Sequence, residues 1–528
     1  MKRFISVIIC IVIAFISWYF MLPPLNVTSP LFWSYFFELI LVCGIIFIFS
    51  ETFDFHRKFS FKKFKWVPIV GCSALVTIGI ILIINTICSP LFNASKYANR
   101  IVVDETGVFT EDVAQVDFNK IPLLDKESSA KLGDRKMGQA TQWVSQYYVS
   151  DLYTQINYND SIIRVTPIEY AGIIKYFANR KEGIKGYITV DSVDGSANLV
   201  TLDKGMKYMP SAYFFENLYR KLRIDYPTAI FDDASFEIDN EGNPYWIVPT
   251  IKYAGIGLRK EINGVIILDA VTGKSEKYAI QDVPTWVDHV YSASLIIEQL
   301  DNWGEYKEGY WNSIFGQKNV VNTTDGYNYL VMDDDVYLYT GITSVSTDES
   351  NIGFVLVNMR TKETNYYSAP GAEEYSAMAS AEGLVQEKKY TASFPLLINL
   401  KNKPTYLLSL KDNAGLVKMY AFVDVADYQK VVVSDASLGI NVAAEKYLKD
   451  AITGYDPDRL VKTEIVIKDL TTAVIDSDTY YYFTDSDDNL YSASIKVNKN
   501  LLPFMKIGQK YTVTYSESEI NIVASITK

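Results

Sequence analysis

Residues 264–278 read GVIILDAVTGKSEKY. Four apolar residues, an aspartate, a Thr-Gly step and a second run ending in tyrosine form the pattern of a β-hairpin. Asp269 is placed to accept hydrogen bonds from the backbone that follows it, and Gly273 supplies the positive φ that such a turn needs. The pattern recurs as GYITVDSVDGSANLV at 186–200, GFVLVNMRTKETNYY at 353–367 and, more loosely, MYAFVDVADYQKVVV at 419–433. Asp191, Asn358 and Asp424 stand where Asp269 stands. The spacing of roughly 65 to 90 residues is that of one small α+β unit repeated along the chain.

The context of the hairpin repeats as well. A strand precedes it at Pro244-Tyr-Trp-Ile-Val-Pro, Val336-Tyr-Leu-Tyr-Thr and Pro404-Thr-Tyr-Leu-Leu-Ser. Helical patterns fall between hairpins, at about 134–157, 167–179, 210–223, 285–302, 371–382 and 435–452. The character changes near 460. About five alternating strands follow, near 463–469, 479–484, 490–497, 510–516 and 519–526, the pattern of a small β-barrel of OB-like type.

Upstream the chain is different. Residues 4–22, 31–49 and 67–88 are almost wholly apolar, and each is close to the ~20 residues that span a bilayer core. The first ends in Trp18-Tyr-Phe-Met-Leu-Pro-Pro rather than a small-residue cleavage site, so it reads as an anchor. Loop 23–30 carries no Lys or Arg, whereas loop 51–66 carries Arg57, Lys58, Lys62, Lys63 and Lys65. Basic short loops stay inside. The expected topology is therefore multi-pass in the cytoplasmic membrane. The N-terminus and loop 51–66 are cytoplasmic, and residues from about 93 to 528 are extracytoplasmic.

Charge is divided accordingly. Residues 1–95 carry a net of +4, which leaves −16 of the total −12 to residues 96–528. A domain that acidic is unsuited to nucleic acid, which requires a basic face. All four cysteines, Cys10, Cys43, Cys72 and Cys88, lie in the apolar segments. The large domain therefore has no disulfide, thiol nucleophile or thiolate metal site.

Around Pro244-Tyr-Trp-Ile-Val-Pro and Gly264-Val-Ile-Ile-Leu-Asp-Ala-Val-Thr-Gly-Lys the chain resembles PepSY-type domains. These are small extracytoplasmic modules associated with protease inhibition or regulation in bacterial envelopes. Over most of 100–440, segments such as Asp282-Val-Pro-Thr-Trp-Val-Asp and Gln299-Leu-Asp-Asn-Trp-Gly are similar to a family of uncharacterised multi-span bacterial membrane proteins. The wider resemblance implies the architecture and leaves function open.

The expected fold is thus three N-terminal transmembrane helices, an α+β extracytoplasmic region of PepSY-like hairpin/helix units, and an OB-like barrel. The expected segments are a membrane anchor at 1–92, a membrane-proximal linker or strand segment at 93–130, α+β units at 131–240, 241–330 and 331–455 (the last holding two), and the barrel at 460–528.

Candidate chemistry is sparse. The chain has two histidines, His56 in the basic loop and His289 in Trp286-Val-Asp-His-Val-Tyr. Adjacent residues on one helix point apart, so His289 and Asp288 form a poor catalytic pair, and His289 reads as a surface or capping residue of a helix. Asp333-Asp-Asp, Asp476-Ser-Asp and Asp485-Ser-Asp-Asp-Asn are acidic enough for Ca²⁺. In the last, Asp485, Asp487 and Asn489 match the start of an EF-hand loop, but Leu490 replaces its glycine and Lys496 its bidentate glutamate. Turns between strands are the alternative. Tyr245, Trp246 and Trp286 are candidates for a partner surface, with core packing as the alternative. Glu38 and Asn85 are polar residues within apolar spans.

No catalytic residue, cofactor or metal is assigned. The expected function is a membrane-anchored, non-enzymatic scaffold or regulatory binding protein of the cell envelope, with a protein or peptide partner. The alternatives are an envelope hydrolase with paired carboxylates acting on glycan or peptide, and a subunit of a transport or assembly complex.

Overall fold

A computed structural model describes all residues except 1, 53–65, 160, 333–334, 345–349, 453–459, 476–477 and 517–519. His56 and the basic residues of loop 51–66 lie outside the described residues, as do Asp333, Asp334 and Asp476. Two compact units are present, one comprising residues 1–431 and 435–437, the other residues 432–434 and 438–528.

The first unit begins with three helices, α1 (Lys2–Met21), α2 (Pro30–Thr52) and α3 (Trp66–Cys88), each long and apolar enough to cross a membrane. Hardly any of their described side chains is buried within the protein, which is compatible with insertion in a bilayer. A short α4 (Pro90–Ala98) continues from α3. Loop 23–30 lies against the large domain, with Leu25 N–H donating to Pro227 O at 2.8 Å and Gly257 N–H to Thr28 O at 3.0 Å. That loop and the large domain therefore share one side of the helices.

Four antiparallel sheets follow, and they share one strand order. In each, two short strands lie end to end along one edge of a longer strand, and a hairpin extends the sheet on the other side. In the first sheet, Tyr147–Val149 and Thr154–Tyr158 flank Ser161–Tyr170, which pairs with Ile184–Asp191 and then Ala197–Met206. In the second, Ile230–Phe231 and Ser235–Ile238 flank Pro244–Lys252, followed by Glu261–Asp269 and Ser275–Tyr278. In the third, Val321–Thr323 and Asn328–Met332 flank Asp335–Ser344, followed by Ser350–Asn358 and Thr364–Ala372. In the fourth, Thr391–Ala392 and Leu396–Leu400 flank Lys403–Lys411, followed by Val417–Asp424 and Val431–Asp435. A helix precedes each sheet: Lys126–Gln139, Leu218–Asp225, Ala293–Tyr306 and Glu374–Gly383.

The turn that marks the hairpin is the same in all four. Asp191 Oδ1 accepts from Val193 N (2.7 Å) and Asp194 N (3.0 Å). Asp269 Oδ1 does so from Val271 and Thr272, Asn358 Oδ1 from Arg360 and Thr361, and Asp424 Oδ1 from Ala426 and Asp427. Gly195 and Gly273 adopt φ +77° and +73°, and Lys362 takes the corresponding place at +67°.

Alternation along the second sheet explains its unbroken apolar runs. Trp246, Val248, Ile266 and Leu268, with Phe236, face a core shared with Ile156 and Val165 of the first sheet. Ile247, Ile251, Val265 and Ile267 face a core shared with Leu295 and Leu300 of the following helix and with Leu338 and Val355 of the third sheet. A sheet buried on both faces has no polar side to show in its sequence.

Several expected helices are shortened. Within the expected helix 134–157, residues Tyr147–Val149 and Thr154–Tyr158 are strands. The expected helix 285–302 begins only at Ala293. Residues 93–130 run along the sheets. Val103–Asp104 adds in parallel to Thr364–Asn365 of the third sheet. Further on, Val116 N–H donates to Asn399 O, and Asn399 Nδ2 to Val113 O at 2.7 Å. Phe109, Val113, Ile121 and Leu123 are buried along the way.

The second unit contains the helix Ile440–Ile452 and one curled, half-barrel sheet. Its strand order is Leu460–Val466, Lys510–Ser516, Asn521–Thr527, Leu490–Ser494, Asp478–Thr484 and Asp469–Ile475. The two outermost strands are consecutive in sequence. Ile467 N–H donates to Gln509 O, whereas Lys468 N–H donates to Thr484 O. One continuous stretch thus passes from one edge of the sheet to the other. Phe483, Tyr491, Tyr511, Val513 and Ile526 fill the concave side.

Candidate functional site

A group of buried and half-buried polar residues lies where the first and second sheets meet, between strands Thr154–Tyr158 and Ser235–Ile238. Glu237 alternates with Phe236 and Ile238 along its strand, so it points away from the apolar core into this junction. It is fully buried. Its Oε2 accepts from Asp288 N at 2.9 Å, and its Oε1 from His289 N at 3.2 Å and Ser235 Oγ at 2.9 Å. Burial pushes its carboxyl up to about 7, against the donated hydrogen bonds that favour the charged form.

His289 is half-buried beside it, not on a helix surface. The backbone N–H groups of Asp288 and His289 are committed to Glu237, which holds residues 284–292 out of helical conformation until Ser292. Burial draws the imidazole down to about 4, so the ring is neutral at physiological pH. Its Nε2 lies 2.7 Å from Gln155 O. A carbonyl only accepts, so Nε2 carries the proton. Asp288 Oδ2 accepts from Asn157 N at 2.8 Å. The segment therefore ties the first two sheets together, and the ring packs edge-on against Tyr329 of the third at 5.5 Å.

Next to this, Gln155 and Arg164 are cross-strand partners. Both side-chain polar atoms of Gln155 and the Arg164 Nε are buried without a hydrogen-bond partner among the described residues. Burial lowers the guanidinium to about 10, still charged at neutral pH.

Chemically, Glu237 has the pKa of a general acid or base, but a carboxyl that is sealed from solvent and takes three donors has no path to a substrate. The junction acts as a fastening. Its trace along the chain is faint: one acid inside SFEI and one arginine inside SIIRVTPIEY.

The residues singled out from sequence scatter. Trp246 is core, fully buried, with its indole N–H donating to Tyr208 O at 2.8 Å. It therefore cannot belong to a partner surface. Tyr245 and Trp286 remain half-buried and pack together, with ring centroids 5.1 Å apart. Asp485 is buried, and its two oxygens take four donors, from Asp487 N, Asn489 N, Asn489 Nδ2 and Tyr491 OH. Burial works to raise its carboxyl, but the donors outweigh it and hold it below the usual range. An aspartate so occupied, with Asp487 and Asn489 supplying donors, is a turn between strands. No cluster of three or more His, Cys, Asp or Glu suited to a metal exists among the described residues. Asp335 is held by Arg360 at 2.6 and 2.7 Å and by Asn358 Nδ2 at 2.8 Å.

Asn85 has a place that its position in an apolar helix did not suggest. Its Oδ1 accepts from Ile256 N and its Nδ2 donates to Ile256 O. Arg100, with 1% of its side chain exposed, pairs with Glu261 (3.0 Å) and Glu298 (2.6 Å). Glu38 is exposed on α2.

No family model matches this chain, and no curated protein does. Among solved structures, a mutant of the Synechocystis apocarotenoid oxygenase is similar over 70% of this chain and 59% of that one, at 8% identity and a TM-score of 0.14. The chain thus spans less than two thirds of that protein's length. A likeness at this level carries no argument for fold or activity.

Proposed function

We propose that this chain is a membrane-anchored, non-enzymatic scaffold or regulatory binding protein of a bacterial cell envelope. Its large domain lies outside the cytoplasmic membrane, its four sheets are PepSY-like units, and its C-terminal half-barrel is OB-like. It binds an envelope protein or an extended peptide.

The observation that carries the reading is an internal one. Val103–Asp104 adds as an extra strand to the edge of the third sheet. A sheet that recruits a strand from its own chain has the geometry for β-augmentation. Ala197–Met206 and Ser275–Tyr278 are the outer strands of the first two sheets and offer comparable edges. The shared strand order and the shared Asx turn support the PepSY-like reading. The passage of one stretch between the two edges of the half-barrel supports the OB-like one. The basic loop 51–66, opposite in sequence to the uncharged loop 23–30, supports the orientation.

In-cell crosslinking of the tagged full-length protein, followed by mass spectrometry, tests this proposal. The expected result is one dominant envelope protein trapped through residues 186–433. Turnover of a glycan or peptide by the purified protein, abolished by a single carboxylate substitution, would replace it with the hydrolase reading. Glu237 matches that alternative in pKa but not in access. The transport reading loses Asn85, whose side chain is engaged by Ile256.

A further inference from the structure

Five large apolar side chains of the big domain face outward together: Ile173 (44% exposed), Ile174 (77%), Phe177 (51%), Phe214 (45%) and Phe215 (66%). The helix Ile173–Asn179 buries Tyr176 and presents Ile173, Ile174 and Phe177, the reverse of an ordinary surface helix. Phe177 and Phe214 pack at 5.9 Å between ring centroids. Phe214 has φ +54°, a strained conformation for an aromatic residue, which holds the Phe214–Phe215 turn outward.

The depth of this patch is fixed by α1. Arg220 Nη1 donates to Phe214 O at 2.7 Å, and the same guanidinium lies 4.2 Å over the Tyr19 ring, with Nε 3.4 Å from Tyr19 O. Arg223 Nε donates to Leu22 O at 2.9 Å. Tyr19 lies within the apolar span Phe4–Met21. The patch therefore stands level with the last turn of α1, where a bilayer changes from acyl chain to headgroup. Its charge suits that level. Residues 173–181 read IIKYFANRK, with Lys175, Arg180 and Lys181 and no acid, in a chain of net charge −12. Arg180 also pairs with Glu216 at 3.3 Å.

We propose that the helix Ile173–Asn179 and the Phe214–Phe215 turn form a second membrane contact, lying in the interfacial layer of the leaflet from which α1 emerges. The apolar side chains enter the acyl boundary, about 5–10 Å deep as interfacial helices do. Lys175, Arg180 and Lys181 meet lipid phosphates. Together with α1–α3 this contact fixes the tilt of the large domain. It rests on the reading of those helices as membrane-spanning.

The test uses full-length protein in phosphatidylcholine–phosphatidylglycerol vesicles. Cys10, Cys43, Cys72 and Cys88 are replaced by alanine, and one environment-sensitive fluorophore is attached at Ile174→Cys or, separately, Phe215→Cys. Both positions are exposed, so packing is untouched and the two readings are independent. A parallel protein keeps only Cys10, in the middle of α1. Quenching is read with lipids spin-labelled near the head or the tail of the acyl chain. The expected result is loss of emission at 174 and 215, strongest with the head-proximal label, and at Cys10 with the tail-proximal one. Full emission at 174 and 215 beside a quenched Cys10 overturns the second contact and leaves the anchor standing. Full emission at Cys10 as well overturns both.

Discussion

Asn85 grips Ile256 with both ends of its amide: Oδ1 accepts from Ile256 N at 2.8 Å and Nδ2 donates to Ile256 O at 3.1 Å. An asparagine near the end of an apolar helix thereby serves as the clasp between anchor and domain. Gly255 and Gly257 flank the contact at φ +77° and +75°, and a Cβ on Gly257 would strike Pro30.

Asn85→Ala leaves two backbone groups unpaired at a cost of about 1–3 kcal/mol. Hydrogen exchange of amides 254–258 should quicken while membrane extraction is unchanged. Unaltered exchange would show that the clasp is not needed to hold the loop.

Arg100 joins Lys260 O, Glu261 and Glu298 across the start of the large domain. Its own side chain is buried but both glutamates are partly exposed, so removal should cost about 2–3 kcal/mol, below the range for a fully buried pair. Arg100→Met should lower the urea midpoint of the detergent-solubilised protein. Arg100→Lys should recover only part of it, because an ammonium cannot reproduce the fork.

The four Asx turns are alike in geometry but differ in tolerance. Asp269→Asn keeps the accepting oxygen and should shift stability by less than about 0.5 kcal/mol. Asn358→Asp sets a carboxylate against Asp335, to which Asn358 Nδ2 now donates at 2.8 Å. That change should cost about 1–3 kcal/mol. Thermal unfolding of the two variants, measured side by side, distinguishes them.

Glu237 and His289 oppose each other in pH dependence. The folded pKa of Glu237 is raised from 4.5 to about 7 by burial, so the folded state holds more protons and stability from this group falls as pH rises between those values. His289 is lowered from 6.5 to about 4 by burial, so its contribution is present above 6.5 and is lost as pH falls toward 4. Each slope is at most about 1.4 kcal/mol per pH unit. Relative to the wild type, Glu237→Gln should steepen the loss of stability between pH 6.5 and 4.5, and His289→Gln should reverse it. Parallel stability curves for all three proteins would refute the assignment.

Much of the architecture is legible along the chain because it is local. The apolar runs of α1–α3 are read directly, and their lengths match the thickness of a bilayer core. The hairpins at Asp191, Asp269, Asn358 and Asp424 follow from a side chain that bonds amides two and three residues ahead. The first sheet's long strand, Ser161–Tyr170, was hidden because the helix Ile173–Asn179 separates it from its hairpin, so 167–179 read as helical throughout. The strand at Asp469–Ile475 was hidden because it continues the preceding one with only Ile467 and Lys468 between.

The sites are legible to a lesser degree. Trp246 and Trp286 look alike in sequence, and only the alternation of a sheet buried on both faces sends Trp246 to the core. Asp485 is a turn residue because Tyr491, folded back from the next strand, supplies its last donor. His289 reads as helical until Glu237, 52 residues earlier, takes its amide.

The sequence by itself determined the segments whose stabilising contacts lie within a few residues: the apolar helices, the Asx hairpins and the division of charge between anchor and domain. Tertiary structure alone decided how those segments meet. Asn85 on Ile256, Arg100 between two glutamates, and an apolar helix face level with Tyr19 all join residues from about 150 to 200 positions apart. Such contacts arise from packing and burial and leave no period in the chain to read.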